Sequence, residues 1–314
     1  MTMNPCCITG LDNVPPEAGG GVLTLGNFDG VHLGHQSILA SARAIGDAEK
    51  MPVVAVTFDP PPDLVLRPDD PPRRITLAAR KAALLCDCGA DYTVTVRTDM
   101  ALLALSPEKF VREILVGHFA PKHIVEGENF FYGRRREGNV RTLRDSGAVC
   151  GFEVHLAEPV MGDFGDGPVQ ISSTLVRGLL LAGRIESAAE ALGRRFEICG
   201  TVVEGMQRGR EMNYPTANID PGLQITPNDG VYAGIAIVDE CEYIAAISIG
   251  DHPTFGDAGR TIEAFLLDTD GCFYGKAMTL RFEARLRDQV RFESPAVLAD
   301  QMRKDVERVR ELFR

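Results

Sequence analysis

The chain holds only six histidines, and two of them, His32 and His35, stand three apart in the stretch TLGNFDGVHLGHQSIL. The apolar run before them reads as a strand and the residues after them as a helix, so the pair sits where a strand turns into a helix start. Backbone N–H groups at such a start, with the helix dipole behind them, favour phosphate oxygens. Three residues apart, the two imidazoles share a face of the first turn and can reach one bound polyphosphate. Gly30 and Gly34 leave room for close backbone approach, and Gly26, Asn27, Phe28 and Asp29 complete the turn. A lone histidine here would read as surface decoration. The pair in a glycine frame reads as a phosphate site.

Three other stretches carry candidate chemistry. In ISSTLVRGLL, Ser172, Ser173 and Thr174 can cap a second helix, and Arg177 follows Thr174 by three residues on the same face. Taken alone, this is an ordinary helix cap. Glu263, in TIEAFLLD, alternates on a strand with Phe265 and Leu267. From the residues alone it reads equally as a rim charge and as a general base. In ENFFYG, Phe130, Phe131 and Tyr132 can form an apolar wall for a flat cofactor or pack in the core or a loop.

The elements that would position these groups fall into two halves. From Gly21 to about Glu158, short apolar runs (GVLTLGNF, PVVAVTF, YTVTV, HIVEG, FEVHLAE) alternate with helical patterns (HQSILASARAI, ITLAARKAALL, SPEKFVREIL). This alternation predicts an α/β layer structure on a parallel sheet, and Ser106 with Pro107 marks one helix start. After the helical stretch STLVRGLLLAGRIESAAEAL come FEICGTVVEG, GVYAGIAIV, YIAAISIG, TIEAFLLD and AMTLRFEARL, with turns at Asn228-Asp229-Gly230 and Asp270-Gly271. These predict a small antiparallel β-barrel. A last helix begins at Ser294-Pro295 and carries Leu298, Met302, Val306, Val309 and Phe313 on one face toward the barrel. The expected domains are residues 1–186 and 187–314.

Composition narrows the class. The chain has 314 residues, 45% hydrophobic and 25% charged, and no apolar run long enough to cross a bilayer, which predicts a soluble protein of two domains. The N-terminus lacks a basic region followed by an apolar stretch, so a cytoplasmic location is expected. A net charge of −11 excludes nonspecific nucleic-acid binding but leaves nucleotides open. The eight cysteines are scattered through a large chain, so reduced thiols are expected. Cys86 and Cys88 point to different faces of a helix, and no second cysteine or histidine cluster completes a metal site with them.

GNFDGVHLGH resembles the G-x-F-D-G-x-H-x-G-H signature of the nucleotidyltransferase superfamily. VTFDPPP, EGENFFYGRRREGNV and ISSTLVRGLL are similar, in order and spacing, to segments of the FMN adenylyltransferase domain of bacterial bifunctional riboflavin kinase/FAD synthetases. GTVVEGMQRGREMNYPTANI, PNDGVYAG, SIGDHPTFG, TIEAFLLDTDGCFYGK and LRDQVRFES resemble the riboflavin kinase module that follows it. The likeness covers nearly the whole chain, and Pro215 to Asn218, PTAN, is its most distinctive element.

The resemblance implies a Rossmann-like nucleotidyltransferase domain followed by a kinase barrel. It implies riboflavin, FMN and ATP as substrates, a divalent cation such as Mg²⁺, and neither nucleic acid nor membrane as partner. Glu263 would be the base for the ribityl hydroxyl, and Thr216 and Asn218 would contact ATP phosphates and the metal. His32, His35, Ser172 and Arg177 would stabilise the charge in adenylyl transfer, with Gly26 to Gly30, Gly34, Ser173 and Thr174 at the phosphates. Asp59, Pro60, Asn129, Phe130, Tyr132 and Arg136 would be the flavin contacts.

Asn129 and Asn139 stand where the family commonly carries aspartate. Asn213-Tyr214 replace Gly-Phe, Ser248 replaces asparagine, and Gly271-Cys272 replace Asp-Leu. These departures leave two alternatives, a chain with only the adenylyltransferase activity and a non-catalytic flavin- or nucleotide-binding regulator.

Overall fold

The computed structural model describes residues 6–204, 216–250, 260–269 and 271–314. Asn213, Tyr214, Pro215 and Asp270 therefore lie outside the described residues. Packing divides the chain into two units, residues 1–72 with 76–172, and residues 73–75 with 173–314.

The first unit is built on six parallel strands: β1 (Cys7–Thr9), β2 (Val22–Leu25), β3 (Val53–Asp59), β4 (Tyr92–Arg97), β5 (His123–Gly127) and β6 (Glu153–Ala157). Their spatial order is β1-β4-β3-β2-β5-β6. Strand β2 is buried at all four positions, as expected of a parallel strand covered on both faces. The chain moves one way from β2 through β3 to β4, then returns to place β5 on the other side of β2. That reversal makes the carboxyl ends of β2 and β5 a topological switch point, the place where open α/β sheets bind ligands.

Helix α1 (Leu33–Glu49) follows β2, α2 (Ala78–Asp87) precedes β4, and α3 (Val140–Cys150) precedes β6. Helix α3 ends at Gly151, whose left-handed φ of 83° suits a residue without Cβ. Helical turns run without a break from Pro107 to Phe119, and Ser106 caps them by accepting from the Lys109 N–H, as expected.

Strand β1 was not foreseen, because three residues are too short for a periodicity. Its pairing with β4 carries Cys6 to the last turn of α2, and Cys6 is disulfide-bonded to Cys86. This corrects the expectation of reduced thiols for that pair; the remaining cysteines form no disulfide.

The second unit is a closed antiparallel barrel of β7 (Glu197–Val203), β8 (Thr216–Asp220), β9 (Gly230–Val238), β10 (Cys241–Gly250), β11 (Thr261–Leu266) and β12 (Ala277–Arg287), in the order β7-β8-β11-β10-β9-β12. Helices α4 (Ser173–Leu181) and α5 (Ile185–Leu192) belong to this unit. The Leu180 carbonyl accepts from the Asn228 N–H, and the Glu186 carboxylate accepts from the Arg285 N–H. These bonds explain why packing divides the chain before Ser173, and the 186/187 boundary drawn from the change to closely spaced strands falls within the second unit.

The final helix, α6 (Pro295–Leu312), is capped by Ser294 and lays Val306 and Val309, with Phe313 beyond its end, on the outer barrel residues Ile244, Ala246 and Phe265. Of the expected stripe, Val306, Val309 and Phe313 lie in this packed face, and Leu298 and Met302 are half-buried. Arg287 on β12 grips the buried Asp305 of α6 through both carboxylate oxygens, at 2.7–3.1 Å, and fixes the helix along the barrel.

Candidate active sites

At the switch point, the turn between β2 and α1 takes left-handed backbone at Phe28, Gly30 and Val31, with φ of 46°, 87° and 40°. A β-branched residue at positive φ is strained, and such strain collects at functional sites. His32 occupies the N-cap position of α1, and its ring stacks on that of His35 with centroids 3.7 Å apart. Phe28 meets the edge of His35 at 5.2 Å. The two imidazoles thus present one surface at the helix start.

Gly34 is dictated by this stack. A Cβ there would lie 3.1 Å from Cε1 of His32, 3.2 Å from its Nδ1 and 3.2 Å from the Ile171 carbonyl. Gly34→Ala is therefore expected to shift His32 by a few tenths of an ångström and to lower by about 10-fold any reaction the imidazole pair serves, since misplacement by about an ångström costs about 100-fold.

The turn is braced from beneath. Buried Lys81 of α2 donates to the Asn27 carbonyl at 2.9 Å and the Phe58 carbonyl at 3.2 Å, tying the loop after β2 to the end of β3, where Asp59 and Pro60 follow. Thr57 Oγ1 donates to the same Asn27 carbonyl, and the Asp29 carboxylate accepts from the Thr76 N–H. Sequence reasoning missed Lys81, although a lysine among Ala78, Ala82 and Leu85 on one helical face was the available signal.

Glu126 was missed as well. It is 2% exposed, and its Oε1 accepts from the Leu25 N–H at 2.7 Å, bridging the ends of β5 and β2 directly under the turn. Burial pushes its carboxyl well above the usual carboxylate range, and the Leu25 N–H only partly opposes this. Between the unfolded-state value of about 4.3 and the raised folded value, the native protein keeps a proton that the unfolded chain has released. Stability from this group is thus present below the unfolded value and is lost as pH rises toward the folded one. Glu126→Gln cannot titrate, so urea unfolding at pH 5 and pH 8 is expected to show the variant gaining on the wild type as pH rises. Parallel pH dependences would mean that the carboxyl is ionised in the native protein.

The flavin candidates separate. Tyr132 is buried in the core against Phe110, with Phe130 stacked on it at 5.6 Å and its hydroxyl 3.2 Å from Thr142 Oγ1. Its ring has no open face for a ligand. Asn129 is exposed, as is Phe131, which carries the guanidinium of Arg136 at 4.8 Å. Asn139 caps α3, its Oδ1 accepting from the Arg141 and Thr142 N–H groups, a role aspartate would fill equally. Ser172 immediately precedes α4, which opens with Ser173 and Thr174; Arg177 Nε donates to the Arg73 carbonyl within the second unit.

On the barrel, register brings a second set together. Glu263 lies opposite Asn218 of β8 on one side and Ser248 of β10 on the other. Thr216 Oγ1 is 3.4 Å from Glu263 Oε2, and Gln289 Nε2 donates to Ser248 Oγ at 2.7 Å. Thr216, Asn218 and Glu263 therefore form one cluster, on the outer face that Phe265 continues under α6. Hydroxyl, amide and carboxylate oxygens are the donors a hard divalent cation takes.

A family model described as FAD synthetase matches residues 14–175, and one described as riboflavin kinase matches residues 192–313. The bifunctional riboflavin kinase/FMN adenylyltransferase of Escherichia coli K12 is 34% identical over 307 residues, covering 98% of this chain and 96% of that protein. The chain belongs to this family. The Pseudomonas fluorescens member is 36% identical over 306 residues and covers 97% of both chains. A solved structure described as a macrolide-efflux protein from Streptococcus pneumoniae superposes with a TM-score of 0.85 at 27% identity, over 97% of this chain and 99% of that one.

Proposed function

We propose that this protein makes FAD from riboflavin in two ATP-dependent transfers. The barrel phosphorylates riboflavin to FMN with release of ADP, and the α/β unit transfers AMP from a second ATP to FMN with release of pyrophosphate. The observation that carries the reading is the Glu263 cluster. A carboxylate held by strand register between an amide and a hydroxyl, with Thr216 beside it, suits proton removal next to a phosphate, and it occurs in a family whose relatives bear both activities in their names.

Glu263 takes the proton from the terminal ribityl hydroxyl as that oxygen attacks the γ-phosphorus of ATP. Thr216 and Asn218 would hold Mg²⁺, which when bound neutralises phosphate charge. Asn218 and Ser248 flank Glu263 across the strands, and Thr216 Oγ1 stands 3.4 Å from its carboxylate.

In the α/β unit, the FMN phosphate attacks the α-phosphorus of ATP, and His32 and His35 stabilise the charge on the phosphate oxygens at the start of α1. Lys81 and Glu126 hold the turn that carries them. Neither transfer needs a covalent enzyme intermediate. The efflux description of the pneumococcal structure is not carried over, since no helix among the described residues is long and apolar enough to cross a membrane.

The test is a chromatographic time course with ATP and Mg²⁺, begun once from riboflavin and once from FMN. FMN should appear and then pass into FAD in the first, and FAD should form directly in the second. Conversion of FMN but not riboflavin would remove the kinase half of the reading. Binding of both flavins without conversion would remove both halves.

A further inference from the structure

At the amino ends of the sheet strands, away from the turn that carries His32 and His35, four side chains that no step above uses converge. His123 opens β5 and pairs in register with Glu153, which opens the edge strand β6; His155 lies two residues further along β6 on the same face. That face is the one α1 covers, since Val125 and Ala157 pack there against Ala42 and Ile45. Glu49, the last residue of α1, closes the group.

The geometry is that of a ligand set. His123 Nδ1 and His155 Nε2 are 3.0 Å apart, and His155 Nε2 is 3.8 Å from Glu153 Oε2. One donor atom from each residue falls within 4.8 Å of the other two, the only such His/Cys/carboxylate grouping among the described residues. Donors about 2.0–2.2 Å from a tetrahedral zinc stand roughly 3.3 Å from each other, so the observed separations bracket what an ion between them needs.

The surroundings of His123 add a second, independent observation. Its other nitrogen, Nε2, is 3.2 Å from Glu49 Oε2. A carboxylate on the far nitrogen of a ligating imidazole fixes the ring's orientation and raises its basicity, and metal-bound histidines almost always have such a partner. His123 is buried, His155 is half-buried and Glu153 is exposed, which provides an entry path.

We propose that His123 Nδ1, His155 Nε2 and the Glu153 carboxylate bind a divalent transition ion of the zinc class, with Glu49 orienting His123 and water completing the coordination. Two imidazoles and a carboxylate select such an ion over Mg²⁺ or Ca²⁺, which prefer oxygen. The ion would tie the edge strand β6 to β5 and the end of α1, so its consequence is stability of the α/β unit. Without it, His123 Nδ1 and His155 Nε2 stand at hydrogen-bond distance, a contact that the metal would replace.

Zn²⁺ alone, without ATP, is titrated calorimetrically into the full chain and into His155→Gln, whose substituted side chain is solvent-facing. Zinc held by thiols or by His32 and His35 is common to both proteins and cancels. The wild type should bind one more ion per chain than the variant, or bind it at least 30-fold more tightly. Zn²⁺ should also raise the unfolding temperature of the wild type alone, while both flavin-converting activities stay equal. Glu49→Gln, which keeps all three ligands, should weaken binding about 10-fold. Identical titrations for wild type and His155→Gln would overturn the proposal and leave the cluster a hydrogen-bonded edge.

Discussion

Replacing Glu263 with glutamine is expected to lower FMN formation from riboflavin by about 10²–10⁴-fold, the range that a positioned general base contributes, while FAD formation from supplied FMN stays unchanged. The substitution is nearly isosteric. Glutamine keeps an oxygen that can accept from Thr216 Oγ1, which stands 3.4 Å from Oε2 in the native protein. The backbone register of β11 with β8 and β10 owes nothing to the side chain. The barrel should therefore fold and bind riboflavin with a similar KM, and the loss should fall on kcat. Such a pattern belongs to a group needed in the transition state rather than in the ground state. A rim charge, the other reading of this residue, would leave kcat within a few-fold of the wild type. Unfolding curves that coincide for the two proteins complete the test.

The parts of the molecule that were legible in the sequence are those whose information is local. The stretch around His32 and His35 could be read because strand, glycine turn and helix follow one another within sixteen residues. The stripe on α6 could be read because its partner is a continuous barrel face. Thr216 to Asp220 was read as a motif and not as a strand, yet it is β8, and its register is what sets Asn218 against Glu263. Lys81 and Glu126 escaped notice because each is a single polar residue in an apolar pattern, and its meaning lies in carbonyl or N–H partners on other strands. Tyr132 shows the converse. An aromatic cluster announces burial or binding alike, and only the packing of Phe110 and Phe130 decides for the core. The bond between Cys6 and Cys86 depends on a three-residue strand pairing far along the chain, which no local pattern encodes.

The second large effect is expected at the switch point. His35→Ala should lower FAD formation from FMN by about 10²–10³-fold, the cost of removing one preorganised donor from a developing phosphate charge, with riboflavin phosphorylation unaffected. The rings of His32 and His35 are stacked at 3.7 Å, and a Cβ at Gly34 would crowd His32 at 3.1–3.2 Å. Removing His35 therefore takes away a donor and also the surface on which His32 rests. The two should behave as one unit. His32→Ala alone should cost about as much, and the double variant only a few-fold more than either single, because residues in contact do not add. His35→Asn restores an N–H near the same place without the ring, so partial recovery would assign the effect to hydrogen bonding, and no recovery would assign it to the stack. Additive losses in the double variant would show two independent contacts, and the shared imidazole surface at the start of α1 would have to be abandoned.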